Sequence, residues 1–140
     1  MTAAEYLKNN SILGYGKHAN LTKEYVFEKH KGYVSWVKKK EFSNIGSTKM
    51  KLFWIWLHAN DKDYIDKLNT EITCPLCRNI SSSERLINNI KGLNEDCDIC
   101  MTDKKEVYQP CGHVSFCNSC LHQMKKHNFI NYYLSKIRFI

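Results

Sequence analysis

Arginine is scarce in this chain: of its 21 basic residues eighteen are Lys and three are Arg. Sequence-specific nucleic-acid recognition draws on clustered arginines and a base-reading motif, and neither is present. Long apolar runs are missing too. The longest, Leu52–Leu57 (LFWIWL), is far too short to cross a bilayer. Met1 is followed by Thr2-Ala3-Ala4-Glu5 rather than by a basic head and an apolar stretch, so no secretory signal is expected. These absences predict a soluble protein of the cytoplasm or nucleus with no membrane partner, a setting in which CxxC pairs favour metal or redox chemistry over disulfides. There is no internal repeat and no low-complexity tract.

The chain has 140 residues, 43% of them hydrophobic, which suits one ordinary domain or two small ones. Its formal charge of +7 is uneven: residues 1–60 carry ten Lys against four Glu, residues 61–96 are slightly acidic, and residues 97–140 are mildly basic. Basicity therefore belongs to the N-terminal half, where it serves as a solvated face or attracts nucleic acid or an acidic partner. The abundance of Lys, Asn and Ile also resembles the coding bias of an AT-rich genome.

Residues 11–17 (SILGYGK) read as a short extended segment broken by Gly14 and Gly16. Thr22 caps a predicted helix running to about His30, with Gly32 as its stop. A second helix from Tyr33 places Tyr33, Trp36 and Val37 on one face, with Lys38, Lys39 and Lys40 in its last turn. Residues 43–48 are a loop. A third helix from Ser47 or Thr48 presents Met50, Phe53, Trp54 and Leu57 at buried-stripe spacing, and Ile55 and Trp56 off the stripe predict cover on more than one side. Residues 61–69 continue as a short helix. Ser81-Ser82-Ser83-Glu84 predicts a capped helix with Leu86, Ile87 and Ile90, closed by Gly92. A long helix is expected beyond Cys120, with Leu121 and Met124 beginning its apolar side and Lys125 outside it. His18, His30 and His58 have no partner at metal spacing.

All seven cysteines lie in Cys74-Pro75-Leu76-Cys77 and in the stretch Cys97–Cys120. Cys97-x2-Cys100, sixteen residues, then Cys117-x2-Cys120 fits the two-CxxC zinc template. Each CxxC turn brings two sulfurs within reach of one metal, and two turns complete a tetrahedron. Cys74, Cys77, Cys111 and His113 remain, and they also make four. Two zinc ions are therefore expected, acting as folding elements. A thioredoxin-like site would need a βαβ setting, a cysteine nucleophile would need a cysteine not spent on metal, and a catalytic zinc would need an open position; none is evident.

The Cys97–Cys120 stretch resembles the first six ligand positions of a RING finger, and Pro110–Cys120 (PCGHVSFCNSC) is particularly similar to the RINGs of inhibitor-of-apoptosis proteins. Such a RING ends in a Cys-Pro-x-Cys-Arg ligand pair. No cysteine follows Cys120, but Cys74-Pro75-Leu76-Cys77-Arg78 stands upstream. The resemblance thus implies a circularly permuted cross-brace with Cys97, Cys100, Cys117 and Cys120 on one zinc and Cys74, Cys77, Cys111 and His113 on the other. Residues 78–96 can span about 60 Å when extended, ample for the return. Two other wirings stay open: Cys74 and Cys77 from another copy of the chain, or His122 or His127 in place of His113.

The helical pattern of the first half and the RING resemblance of the second together give an expected α+β fold: a small, mostly helical basic module over residues 1–69, then a two-zinc cross-brace domain with a C-terminal helix over residues 70–140. The RING resemblance also implies a ubiquitin ligase that forms no covalent intermediate. Its partners would be a ubiquitin-conjugating enzyme, ubiquitin and a protein substrate. Ile99, Pro75 and Leu121 match contacts to the conjugating enzyme, and Arg78 matches the basic residue that bridges enzyme and ubiquitin. The alternatives are a zinc-stabilised interaction module without ligase activity and a nucleic-acid-binding zinc protein using the N-terminal lysines. Tyr15-Gly16-Lys17-His18, Gly32-Tyr33 and Trp36 further resemble, over residues 12–57, the GKYKGK-type module of exodeoxyribonuclease X-like proteins, departing from it at Ala19-Asn20. With the composition, the two resemblances point to a large DNA virus as source, and so to a host cell's cytoplasm or nucleus.

Overall fold

A computed structural model of the chain describes Leu7, residues 11–88 and residues 90–137. Asn89, inside the expected 81–92 helix, and most of the first ten residues of the expected N-terminal module lie outside the described residues. The fold is α+β, and the chain forms two compact units: Met1–Asp61 with Ile130–Ile140, and Lys62–Phe129.

The first unit is helical. Ile12 bridges Thr22, closing the turn that carries Gly14 and Gly16. Thr22 then caps α1 (Lys23–Lys29), its Oγ1 accepting from the Tyr25 N–H at 3.1 Å. His30 ends α1 and starts α2 (Lys31–Lys38), so Gly32 is not a stop but the second residue of a helix. The break falls at His30 because its backbone leaves the helical region (φ −122°, ψ 58°). On α2, Val34 and Val37 are buried, whereas Trp36, expected beside Val37, is 51% exposed.

The centre of this unit is α3 (Thr48–Ala59), started by Ser47, whose Oγ accepts from the Met50 N–H. Every residue from Leu52 to Ala59 is buried. A one-sided amphipathic helix could not bury eight in a row, so the apolar residues off the stripe do mark a helix covered all round. Phe42 and Tyr133 pack on Trp54 with ring centroids 5.2 and 4.8 Å away, and the Trp54 indole N–H donates to the Lys40 carbonyl at 3.0 Å.

The second unit starts at α4 (Lys62–Asp66) and is built on two hairpins. β1 (Glu71–Thr73) pairs antiparallel with β2 (Ile80–Ser82), and β3 (Val107–Tyr108) pairs with β4 (Val114–Phe116). The helix expected after Ser81 is therefore a strand, followed by a single 3₁₀ turn over Ser83–Arg85 and an extended run in which Ile87 bridges Tyr108. The serines are spent differently from helix caps. Ser81 and Ser82 pair with Ile72 and Glu71, while the buried Ser83 accepts from the Thr70 N–H and donates to the Leu68 carbonyl. Ile72, Leu86, Val107, Phe116 and Leu121 pack with Cys97, Cys117 and Cys120 in one core, so three of the eight residues at this unit's centre are cysteines.

α5 (Asn118–Leu134) follows β4 directly, and the Glu106 carboxylate caps it by accepting from the Asn118 N–H at 3.1 Å. Lys125, expected outside, is buried; its ammonium donates to the Asp66 carbonyl at 2.9 Å. From Ile130 on α5 groups with the first unit, because Tyr133 finds its ring partners in Phe42 and Trp54.

Candidate metal centres

Two of the three CxxC pairs, Cys74–Cys77 and Cys97–Cys100, adopt the same turn. In the first, the Arg78 N–H donates to the Cys74 carbonyl at 2.9 Å; in the second, the Met101 N–H donates to the Cys97 carbonyl at 3.0 Å. The turns reverse the chain so that each pair of sulfurs points the same way. The β1–β2 hairpin carries the first, closed by a Cys74 N–H to Asn79 carbonyl bond of 2.9 Å. The second is pinned by the Cys97 N–H donating to the Asp103 carbonyl and by the ion pairs Lys104–Asp96 and Lys105–Glu95.

The remaining ligands come from the β3–β4 connection and from the start of α5. Gln109, Pro110, Cys111, Gly112 and His113 form the tip of the hairpin, where Gly112 has φ +92°, a conformation that side chains resist. Gln109, buried in this small unit, braces the tip: its amide donates to Ser115 Oγ at 2.9 Å and its backbone N–H to the His113 carbonyl at 3.0 Å. Sequence reading passed over Gln109 and Ser115, which carry no metal-ligand chemistry, although a Gln beside the Pro-Cys of a ligand loop is an uncommon residue to bury.

Two clusters result, Cys74–Cys77–Cys111–His113 and Cys97–Cys100–Cys117–Cys120, each with ligand atoms within 4.8 Å of one another. The ligand pairs alternate between clusters along the chain, the interleaving of a cross-brace. The spacing suits zinc. With Zn–S bonds of about 2.3 Å, tetrahedral geometry puts sulfurs about 3.8 Å apart and a sulfur and an imidazole nitrogen about 3.6 Å apart. Cys97 and Cys120 sulfurs lie 3.6 Å apart and those of Cys100 and Cys117 3.8 Å. His113 Nδ1 lies 3.5 Å from the Cys74 sulfur and 3.6 Å from that of Cys111. All seven cysteines are free thiols, and these separations are far beyond a disulfide bond. Each cluster can hold one zinc ion, the cofactor count expected.

Both clusters close within one chain, so neither needs a second copy. His113, not His122 or His127, completes the upstream set; His122 Nδ1 instead lies 2.8 Å from Asp66 Oδ1. The electrostatics repeat as well. Burial works against the Cys74 thiolate, but the N–H groups of Cys77 and Leu76 and the neighbouring thiols outweigh it and bring the thiol down to about 6. Cys97 is brought to about 6 in the same way, by the N–H groups of Cys100, Ile99 and Cys117. Burial and neighbouring sulfurs push Cys120 up instead. The first cysteine of each turn is thus prepared as a thiolate, the form that binds metal.

The residues expected to touch a partner separate into two groups. Pro75 and Arg78 are exposed, and Ile99 is 47% exposed at the tip of its turn. Ile99 lines a cleft of about 410 Å³ with Ile72, Met124 and His127. Leu121 is only 4% exposed and is taken up by the core; the α5 residues that line the cleft include Met124, about one turn on, and His127. Comparison of the chain with protein-family models, with curated proteins and with solved structures finds no match in any of the three.

Proposed function

We propose that the Lys62–Phe129 unit is a RING-like module, its last ligand loop supplied from upstream, that recruits a ubiquitin-conjugating enzyme and promotes ubiquitin transfer. The observation that carries this reading is Ile99, an isoleucine held nearly half exposed between two zinc ligands and over an apolar-lined cleft. Ile99 and the apolar wall of the cleft together make a contiguous patch, the kind of surface that marks a protein contact, where a single exposed aliphatic would not. Across the cleft, Met124 offers an adaptable second apolar surface. Pro75 and the exposed Leu76 present a similar tip on the other turn.

Catalysis would be by positioning. The module holds the conjugating enzyme, and Arg78 hydrogen-bonds both enzyme and ubiquitin so that the thioester is fixed for attack by a substrate amine, a source of large rate effects with no covalent intermediate on this chain. A guanidinium suits the role because its planar fork can donate to two carbonyls at once. The basic N-terminal unit would select the substrate or the place of action.

The test is ubiquitin-chain formation in vitro with a panel of conjugating enzymes, comparing wild type with Ile99→Ala, Met124→Ala and Arg78→Ala. The expected result is activity with at least one enzyme, lost in Ile99→Ala and Arg78→Ala and reduced in Met124→Ala. No chains with any enzyme, or variants equal to wild type, would leave a zinc-stabilised interaction module without ligase activity.

A further inference from the structure

The first unit carries a ladder of aromatic rings that reaches from its core, where Tyr33 stacks on the buried Phe53 at 6.3 Å, to its surface. Tyr25 lies 6.1 Å from His30, His30 stacks on His18 at 4.1 Å, His18 meets Tyr33 at 5.2 Å, and Tyr33 lies 5.8 Å from Trp36. The Lys40 ammonium stands 4.1 Å from the centre of the Trp36 ring. The ladder's two ends are open, Tyr25 at 47% and Trp36 at 51% exposure, although burying either would remove a large apolar surface from water. Its middle is held in place by the half-buried Tyr33, whose hydroxyl donates to that of Tyr15 at 2.7 Å.

The surroundings are cationic. Residues 11–61 carry nine Lys against three Glu and one Asp, a formal +5. Lys17, Lys29 and Lys39, next in sequence to ladder residues or to Lys40, are exposed. Of the acidic residues, Asp61 is spent on Lys38 at 2.9 Å and Glu24 faces Lys23 at 3.8 Å. Open π surfaces at the two ends of the ladder, Tyr25 and Trp36, set among lysines and without arginine forks to read base edges, match the needs of a single strand. Bases stack on rings irrespective of sequence, and phosphates meet ammonium groups. Double-stranded nucleic acid hides its base faces and would gain nothing from the rings.

We infer that Tyr25, His30, His18, Tyr33 and Trp36, with Lys40, form a binding face for single-stranded nucleic acid, sequence-tolerant and independent of the zinc-cluster unit's activity. Lys40 over Trp36 is no obstacle, since a cation on an exposed ring is weakly held and can swing to a phosphate.

The test uses the zinc-loaded full chain and a labelled oligothymidylate, read by anisotropy and by quenching of tryptophan emission. Trp54 and Trp56 are buried, so quenching reports Trp36. Binding is expected to weaken with salt, with a log–log slope of roughly −2 to −3 for three or four phosphate contacts. Trp36→Ala should weaken it roughly ten-fold and Trp36→Phe much less. The pair Lys39→Ala and Lys40→Ala should flatten the salt slope. Trp36 is on the surface, and circular dichroism verifies that its variants fold. Absence of binding would overturn the inference. So would a Trp36→Ala protein that binds like wild type, a duplex bound as tightly as the single strand, or equal displacement by polyglutamate, which would assign the face to an acidic protein.

Discussion

Arg78 and Met101 occupy the same place in two copies of one turn. Each follows a CxxC pair, each donates its N–H to the carbonyl of the cysteine four residues back, and each has left-handed backbone, φ 62° and 59°. Neither is glycine, so each costs roughly 1 kcal/mol or more of strain. Met101→Gly should relieve it and raise the zinc-saturated thermal midpoint, and should leave the proposed ubiquitin transfer unchanged. Arg78→Gly should raise the midpoint likewise and abolish ubiquitin transfer. A lowered midpoint in both would show that the turn is not strained, and retained transfer in Arg78→Gly would remove the guanidinium from the proposed mechanism.

Metal analysis should find two zinc ions per chain. Because Cys97, Cys117 and Cys120 are part of the core of their unit, a chelator should dissolve that core as well as the sites. The expected signs are loss of dispersed amide resonances from residues 62–129 and retention of those from 11–61, whose core contains no cysteine. Cys97→Ser and Cys111→Ser should each lower the zinc content. One zinc in the wild type would break the assignment of the Cys74–His113 set.

Gln109→Ala should destabilise the zinc-loaded protein by about 1–3 kcal/mol, since it removes the donor to Ser115 Oγ and leaves that buried hydroxyl short of a partner. The loss should appear as faster zinc release from the cluster containing Cys111 and His113, measured with a colorimetric chelator. Gln109→Glu, which keeps the shape but buries a charge, should be worse. Unchanged release in both would mean the hairpin tip is held by its backbone alone.

The ligand sets were legible in the amino-acid sequence because zinc imposes local spacing: a CxxC turn is a few residues long, and seven cysteines plus His113 divide into two fours in few ways. The centre of the first unit was legible for a similar reason, since apolar residues on every side of Leu52–Ala59 leave no face for water. What stayed hidden depends on distant partners. Ser81 and Ser82 carry the residue types of a helix cap, and only the strand at Glu71–Thr73 makes them a strand. Lys125 reads as solvent-facing, and nothing in the sequence marks Lys23 for burial. Yet Lys23 is fully buried with its ammonium 5.4 Å from the Trp56 ring, and Lys125 reaches a carbonyl 59 residues away. Leu121 and Met124 share one helix side, and tertiary packing alone decides which is core and which meets the cleft.

The same long-range packing makes His58 a pH-sensitive element of the first unit. It is buried against Trp54, with ring centroids 4.3 Å apart, and burial followed by the Lys38 charge lowers it from 6.5 to about 4. Asp61 and the Lys38 backbone pull the other way and are outweighed. The unfolded chain therefore takes up this proton first as pH falls. Stability is whole above about 6.5, declines below it and has lost this contribution by about pH 4, by an amount up to about 3 kcal/mol. All three tryptophans lie in this unit, so urea unfolding followed by tryptophan emission reads it without interference from the thiols. Between about pH 6.5 and 5, where carboxylates still contribute little, the wild-type midpoint should fall steadily. His58→Phe keeps an aromatic ring beside Trp54 and removes this titration, so its midpoint should fall less steeply over that interval, with His18, also held below its usual value, still contributing. Parallel slopes in the two proteins would place the acid sensitivity elsewhere.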